Sequence, residues 1–155
     1  MRNRQSWADR LAQSTPRVIK PIPEKMAKRL GPGSMVVPSP ADVDAVIRTV
    51  GKRKLVTARE IGASLARRYK TTVCCTVTTG ICAWITAHAA HEAELLGKPR
   101  ITPYWRVLKP GGEINGKYPG GLAGIRKRLE EEGHVIVRQG KRLVVKDFEK
   151  KLAVI

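Results

Sequence analysis

Residues 55–97 read LVTAREIGASLARRYKTTVCCTVTTGICAWITAHAAHEAELLG, and this stretch decides the fold. Thr57 and Glu60 have the spacing of a capping box, in which each side chain takes a backbone N–H of the other's turn. Ile61, Leu65 and Tyr69 follow at helical spacing and make a core face, while Arg59, Arg67, Arg68 and Lys70 fall off it. Residues 71–76 are β-branched and cysteine-rich and read as a short extended link. From about Val77 to Leu96 a second helix is built from small residues, among them Thr78, Thr79, Gly80, Ala83, Ala87, Ala89, Ala90 and Ala93. Gly97 caps it and Pro99 cannot continue it. Two helices across a short link form a helix-turn-helix pattern, although any helical bundle contains such pairs.

Upstream, Ser39-Pro40-Ala41-Asp42 supplies an N-cap, a proline at the first helical position and an acid in the first turn. Val43, Val46, Ile47 and Val50 then repeat at i, i+3, i+4, i+7, predicting a helix that Gly51 ends and Lys52-Arg53-Lys54 turns. Residues 1–34 read as a basic arm, because Pro16, Pro21, Pro23 and Pro32 break any long helix. A short helix over 4–13 would place Trp7 and Leu11 on one face. A flexible tail is the simpler expectation, and Trp7 argues against it, since a lone tryptophan usually docks.

Downstream, Ile101–Leu108 predicts a strand interrupted at Pro103. Lys109–Gly121 is a Gly/Pro loop, and Leu122–Glu132 a helix with Leu122, Ile125 and Leu129 inward. Residues 134–146 alternate around Gln139-Gly140, a hairpin signal, and Asp147–Leu152 a final turn. The expected organisation is an arm (1–34), a winged-helix domain (35–133) and a hairpin with a terminal turn packed on it (134–155). The fold class is mainly α with small β.

The 155 residues hold 30 Lys+Arg against 13 Asp+Glu, a formal charge of +17. Such a charge points at a polyanion and accelerates encounter with nucleic acid without specifying a fold. It is unevenly spread: residues 71–100 hold two basic and two acidic side chains, and every other segment is strongly basic. At 42% hydrophobic residues, the chain can bury a core and is not of the disordered class. Its apolar runs are far short of the roughly 20 residues of a membrane helix. Three cysteines argue for a reducing compartment rather than a disulfide framework. A cytoplasmic, nucleoid-associated protein is expected. Arg2, Arg4 and Arg10 keep the mitochondrial matrix open, against Asp9 and the prolines that follow. His88 and His91 with Cys74, Cys75 and Cys82 lack zinc-site spacing, and adjacent cysteines suit one tetrahedral metal poorly, so neither metal nor cofactor is expected.

One block is more specific. Ile101-Thr102-Pro103-Tyr104-Trp105-Arg106-Val107, a Gly-rich loop, Gly120-Gly121-Leu122, a basic helix and Glu132-Gly133 follow in that order. With Val56-Thr57 and Glu60-Ile61 upstream, this resembles the DNA-binding domain of methylated-DNA–protein cysteine methyltransferases over about residues 41–133. The family's pattern there is P-C-H-R-V, a wing, G-G-L, a helix and E-G. Tyr104 stands at the nucleophilic cysteine and Trp105 at the activating histidine. A phenol of ordinary pKa about 10 without an adjacent base is a poor nucleophile, so alkyl transfer through this site is not expected. The non-catalytic alkyltransferase-like proteins, which also carry an aromatic residue at the cysteine position, are the nearer resemblance.

The resemblance implies that the second helix enters the minor groove through Thr76, Thr78, Thr79 and Gly80. Thr76 falls where an arginine normally replaces a flipped base, and the link before Pro103 is longer than in the family; both depart from the family's base-flipping pattern. A groove roughly 6 Å wide favours a thin, uncharged helix, though the same composition suits one buried against its neighbours. Lys52, Arg53, Lys54, Arg59, Lys117, Arg126, Lys127 and Arg128 are the expected phosphate contacts. Tyr104, Trp105 and Arg106 are the candidate pocket, with Trp105 leaning towards core. Glu132, which in the family helps hold the histidine, is expected to lose that role opposite Trp105. Cys75 is the alternative nucleophile. The expected function is non-enzymatic DNA binding, with modified or distorted DNA as the target. The alternative is an RNA-binding or ribosome-associated protein whose arm orders on RNA.

Overall fold

A computed structural model describes residues 5–13 and 15–155. Arg2 and Arg4, and the start of the helix expected at residue 4, lie outside the described residues. The chain is mainly α-helical with small sheets. Its core lies between helix α3 (Pro40–Arg48), helix α4 (Ala58–Arg68) and helix α5 (Thr76–Leu95). The predicted capping box of Thr57 with Glu60 forms at the start of α4, and at the start of α3 the predicted N-cap Ser39 and the first-turn acid Asp42 form a second box with each other. Val43, Val46, Ile47 and Val50 are all buried, as are Ile61 and Leu65. Leu129 and Ile125 of helix α6 (Gly121–Glu131) complete this core.

Three stretches depart from the sequence reading. The described part of 1–34 is folded onto the core. Helix α1 (Trp7–Ala12) lies on α5, where Trp7 stacks on His88 at 4.4 Å and meets Trp84 edge-on at 5.0 Å. The Glu92 carboxylate accepts the N–H groups of Trp7 and Ala8 at 3.1 and 3.2 Å, satisfying donors that a helix start leaves open. Strand β1 (Val18–Pro21) then pairs antiparallel with β2 (Ser34–Val37), across helix α2 (Glu24–Leu30). Strand β4 (Val73–Cys74) joins β2 in parallel from the link between α4 and α5. A tail interrupted by prolines thus becomes a sheet edge.

The expected strand 101–108 is reduced to β5 (Val107–Leu108), parallel to β3 (Val56–Thr57). Tyr104–Arg106 is a 3-10 turn instead. The Tyr104 N–H turns back to the Thr102 carbonyl at 2.8 Å, and Arg106 N–H to that of Pro103 at 3.1 Å, so neither is free for a ladder.

Leu122, expected inward, is exposed. The first turn of α6 projects beyond the core, and the Leu122 side chain closes over Gly116 in the loop instead.

The hairpin of β6 (Ile136–Gln139) and β7 (Arg142–Val145) turns at Gly140, whose φ of 63° is left-handed. It pins the Gly-rich loop through Ile114 N–H, which donates to the Leu143 carbonyl at 2.9 Å. The end of the chain bonds back to Leu55, which exchanges backbone hydrogen bonds with Lys151 and Ala153. Among the described residues no helix is long and apolar enough to cross a membrane.

Candidate nucleic-acid interface

The N-terminal half of α5 presents two different faces. Thr79 is 0% exposed, and its hydroxyl donates to the Cys75 carbonyl at 2.8 Å. It therefore belongs to the core and cannot reach a groove, a correction to its expected role. Thr76 and Gly80 are exposed and Thr78 is half-buried. Beside them lie Val77, 72% exposed, and Ile81, 55% exposed. A methyl group added at Gly80 would meet open space, so the fold itself does not demand glycine there. Val77, Gly80, Ile81 and Trp84 share one side by their 3.6-residue periodicity. The composition alone could not say which small residues faced out, because the helix is nearly uniform around its axis.

Cys75 precedes this helix. Burial pushes its thiol up, but the Thr78 hydroxyl, the N–H groups of Thr78 and Val77, and the Lys20 ammonium together hold it below the ordinary thiol value. Burial raises Cys74 and pushes Cys82 up to about 12. Lys20, on β1, is a cation near the start of α5 that the sequence reading did not assign; only the β1–β2–β4 sheet brings it there.

Tyr104 is 1% exposed and lines a cavity of about 310 Å³ with His91, Glu94, Gly120, Lys127 and Arg128. Burial raises the phenol's pKa above its usual 10; Arg128 opposes that rise and Glu94 adds to it. The phenol is therefore neutral at physiological pH. Arg128 is not a free phosphate contact: its Nη2 donates to Glu94 at 2.5 Å, and its guanidinium lies 4.5 Å from the Trp105 ring centroid and 5.7 Å from that of Tyr104.

Trp105 is half-buried, and its indole Nε1 donates to Glu132 at 3.2 Å. Glu132 therefore keeps a ring N–H to hold at this position, contrary to the expectation that the role was lost. Arg106 bonds the same carboxylate through Nε at 2.8 Å and Nη2 at 2.6 Å, and its Nη1 donates to the Val50 carbonyl at 2.6 Å. These bonds make Arg106 a strut between α6 and the end of α3 rather than a group facing the Tyr104 cavity. Trp105 and Arg106 instead border a second opening of about 530 Å³, with Arg48, Arg100 and the Glu94–Arg128 pair.

Lys52, Arg53 and Lys54 form an exposed turn before β3, and the Leu55–Lys151 bond brings Lys151 beside it. Arg59 is exposed on the first turn of α4, and Lys117 in the Gly-rich loop. Lys127 is exposed at the Tyr104 cavity, and Arg126 is paired with Glu130 at 2.7 Å on the helix surface. Among the described residues no three His, Cys, Asp or Glu side chains converge as a metal cage.

No protein-family profile matches the chain, and no curated protein matches it. Among solved structures it is similar to the crystal structure of S. pombe Atl1 in complex with damaged DNA containing O6-carboxymethylguanine. That similarity has 17% sequence identity and a TM-score of 0.48, over 75% of this chain and 94% of that chain.

Proposed function

We propose that this chain is a non-enzymatic duplex-DNA-binding protein that engages DNA through the outer face of α5 and receives a modified or distorted base against Tyr104. The observation that carries the reading is the exposed, uncharged face of Thr76, Val77, Gly80 and Ile81 in a chain of net charge +17. A helix entering the minor groove has to be thin and free of solvated charges, and apolar side chains there serve as wedges against base steps. The cations that would hold the backbone lie on other elements: Lys52, Arg53, Lys54, Arg59, Lys117 and Lys127.

The Tyr104 cavity supports the finer part of the reading. Its volume of about 310 Å³ exceeds that of a single nucleobase, and a neutral phenol beside the Arg128 guanidinium offers hydrogen-bond donors to a base edge. It does not support alkyl transfer. The phenol's pKa is raised, Trp105 cannot take its proton, and Arg128 stays protonated. Trp7 docks on this chain's own Trp84 and His88, which supports an arm that orders on the protein rather than on RNA.

Fluorescence anisotropy with a labelled duplex across 50–200 mM salt tests the reading. With about six phosphate contacts, log affinity should fall against log salt with a slope near −5. No binding, or an affinity indifferent to salt, overturns it.

A further inference from the structure

The second opening, of about 530 Å³, is bordered by four arginines: Arg48, Arg100, Arg106 and Arg128. Three of them are answered. Arg106 is held by Glu132, Arg128 by Glu94, and Arg48 by Asp44 through its Nε at 2.8 Å. Arg100 makes no ion pair among the described residues, and its side chain is on the exposed link between α5 and the Tyr104 turn. Four guanidinium groups against three carboxylates leave one unbalanced positive charge. The pairing also leaves donors: the terminal nitrogens of Arg48 and the whole fork of Arg100. Pro99, Ile101, Pro103 and Trp105 add an apolar surface to the same opening. The Trp105 ring is held in place by its bond to Glu132.

We infer that the Arg48–Arg100–Trp105 opening is a second nucleic-acid contact site that takes a backbone phosphodiester on the Arg48 and Arg100 guanidinium groups. One unbalanced charge matches the single charge of a phosphodiester, and guanidinium forks match the geometry of its two free oxygens. The apolar surface suits the adjoining sugar. Lys98 shares a neighbouring cavity of about 300 Å³ with Arg48 and Arg100 and extends the positive edge. Glu94 and Arg128 border both this opening and the Tyr104 cavity, so the two sites share a wall. A strand whose base sits against Tyr104 would meet the second site within a short path. This inference rests on the proposed binding of nucleic acid, and deepens it by naming a contact outside α5.

Two measurements on the full chain test it. In the first, duplex affinity is followed over salt for the parent protein and for the double variant Arg48→Gln, Arg100→Gln, with circular dichroism confirming that both are folded. Losing the one phosphate that the two arginines neutralise should make the log–log slope shallower by about 1. A parent that binds with a double variant of unchanged slope overturns the site and leaves the DNA reading standing. In the second, the Nε–Hε resonances of Arg48 and Arg100 are followed by NMR as thymidylyl-thymidine, which carries one phosphodiester, is added. Saturable shifts at both, with the indole N–H resonance of Trp105 shifting in the parent but not in the double variant, support the site even where the parent binds no duplex and the DNA reading has failed. No shift overturns it. Thymidine 5′-monophosphate, carrying a dianionic ester, is the second probe in that titration: if it saturates the same resonances at lower concentration than the dinucleotide, the opening takes a free phosphate ester and the phosphodiester assignment is overturned.

Discussion

The indole N–H of Trp105 donates to the carboxylate of Glu132, 27 residues away, at 3.2 and 3.3 Å from its two oxygens. The same carboxylate neutralises Arg106, and the side chains of that pair are only 13% and 7% exposed. One acidic group at the end of α6 thus holds two consecutive side chains of the turn that positions Tyr104. Removing it leaves a buried guanidinium unanswered. Glu132→Ala should therefore cost about 3–5 kcal/mol, the range for breaking a buried pair by deleting one partner. Urea denaturation measures this; a loss under 1 kcal/mol would show that water replaces the carboxylate.

Tyr104 calls for two substitutions. Tyr104→Ala empties a large, nearly inaccessible site and should destabilise by about 3–5 kcal/mol. Tyr104→Phe keeps the ring and removes the hydroxyl, so it should stay within about 1 kcal/mol of the parent. If the cavity reads a base, the phenylalanine variant should lose preference for an alkylated-guanine duplex over a plain one while binding the plain duplex as before. Equal loss for both duplexes would place the hydroxyl's role outside base recognition.

Acid should weaken the fold in two stages. His134 is buried, and neither ring nitrogen has a hydrogen-bond partner among the described residues. Burial lowers its pKa below the ordinary 6.5; Lys151 and Arg106 add to that, against Glu132. The unfolded chain therefore binds this proton more readily than the folded one. The stabilisation is complete above about pH 6.5 and is lost as pH falls below it through the folded value. His88 acts in the same direction, through burial and then His91 and Arg10. At lower pH, Glu94, held down by its bond with Arg128, and Asp42 lose their contribution as the pH falls below their ordinary carboxylate values. Denaturation midpoints from pH 8 to pH 4 should show the first limb, and His134→Leu should reduce it.

Trp7→Ala should release α1 from α5. The substitution removes the stack on His88, the edge-on packing against Trp84 and the ring face under the Arg10 guanidinium, which lies 4.5 Å from its centroid. A cost of about 1–2 kcal/mol is expected, from aromatic pairs worth about 0.5–1.5 kcal/mol beyond their buried area. Hydrogen exchange should accelerate at residues 10 and 13, whose N–H groups bond within the helix, while the core of α4 stays protected.

Gly112 has a φ of 84°, and a methyl group there would overlap the Phe148 ring. Gly112→Ala combines left-handed strain with a clash against a ring, and should cost about 2–4 kcal/mol. Loosening of the hairpin from the Gly-rich loop, seen as faster exchange of the Ile114 N–H, should accompany it.

What the residue order determined by itself is what is held within about four residues of itself. The Ser39 cap, the Thr57–Glu60 box, the buried stripe from Val43 to Val50, the span of α5 and the turn at Gly140 depend on local hydrogen bonds and on one helical or strand period, so spacing reveals them. The resemblance around Tyr104–Trp105–Arg106 and Gly120–Gly121 likewise marked the segment that lines the cavity. Tertiary structure alone decided the rest. Thr79 faces the core while Gly80, its neighbour, faces solvent, because β4 and α3 cover one side of a helix that looks alike all round. Arg128 meets Glu94 across 34 residues, Trp7 meets Glu92 across 85, and Trp105 finds Glu132 across 27. None of these pairs has a spacing that local geometry constrains. A cation becomes a free phosphate contact or half of an ion pair only when packing has chosen its neighbours.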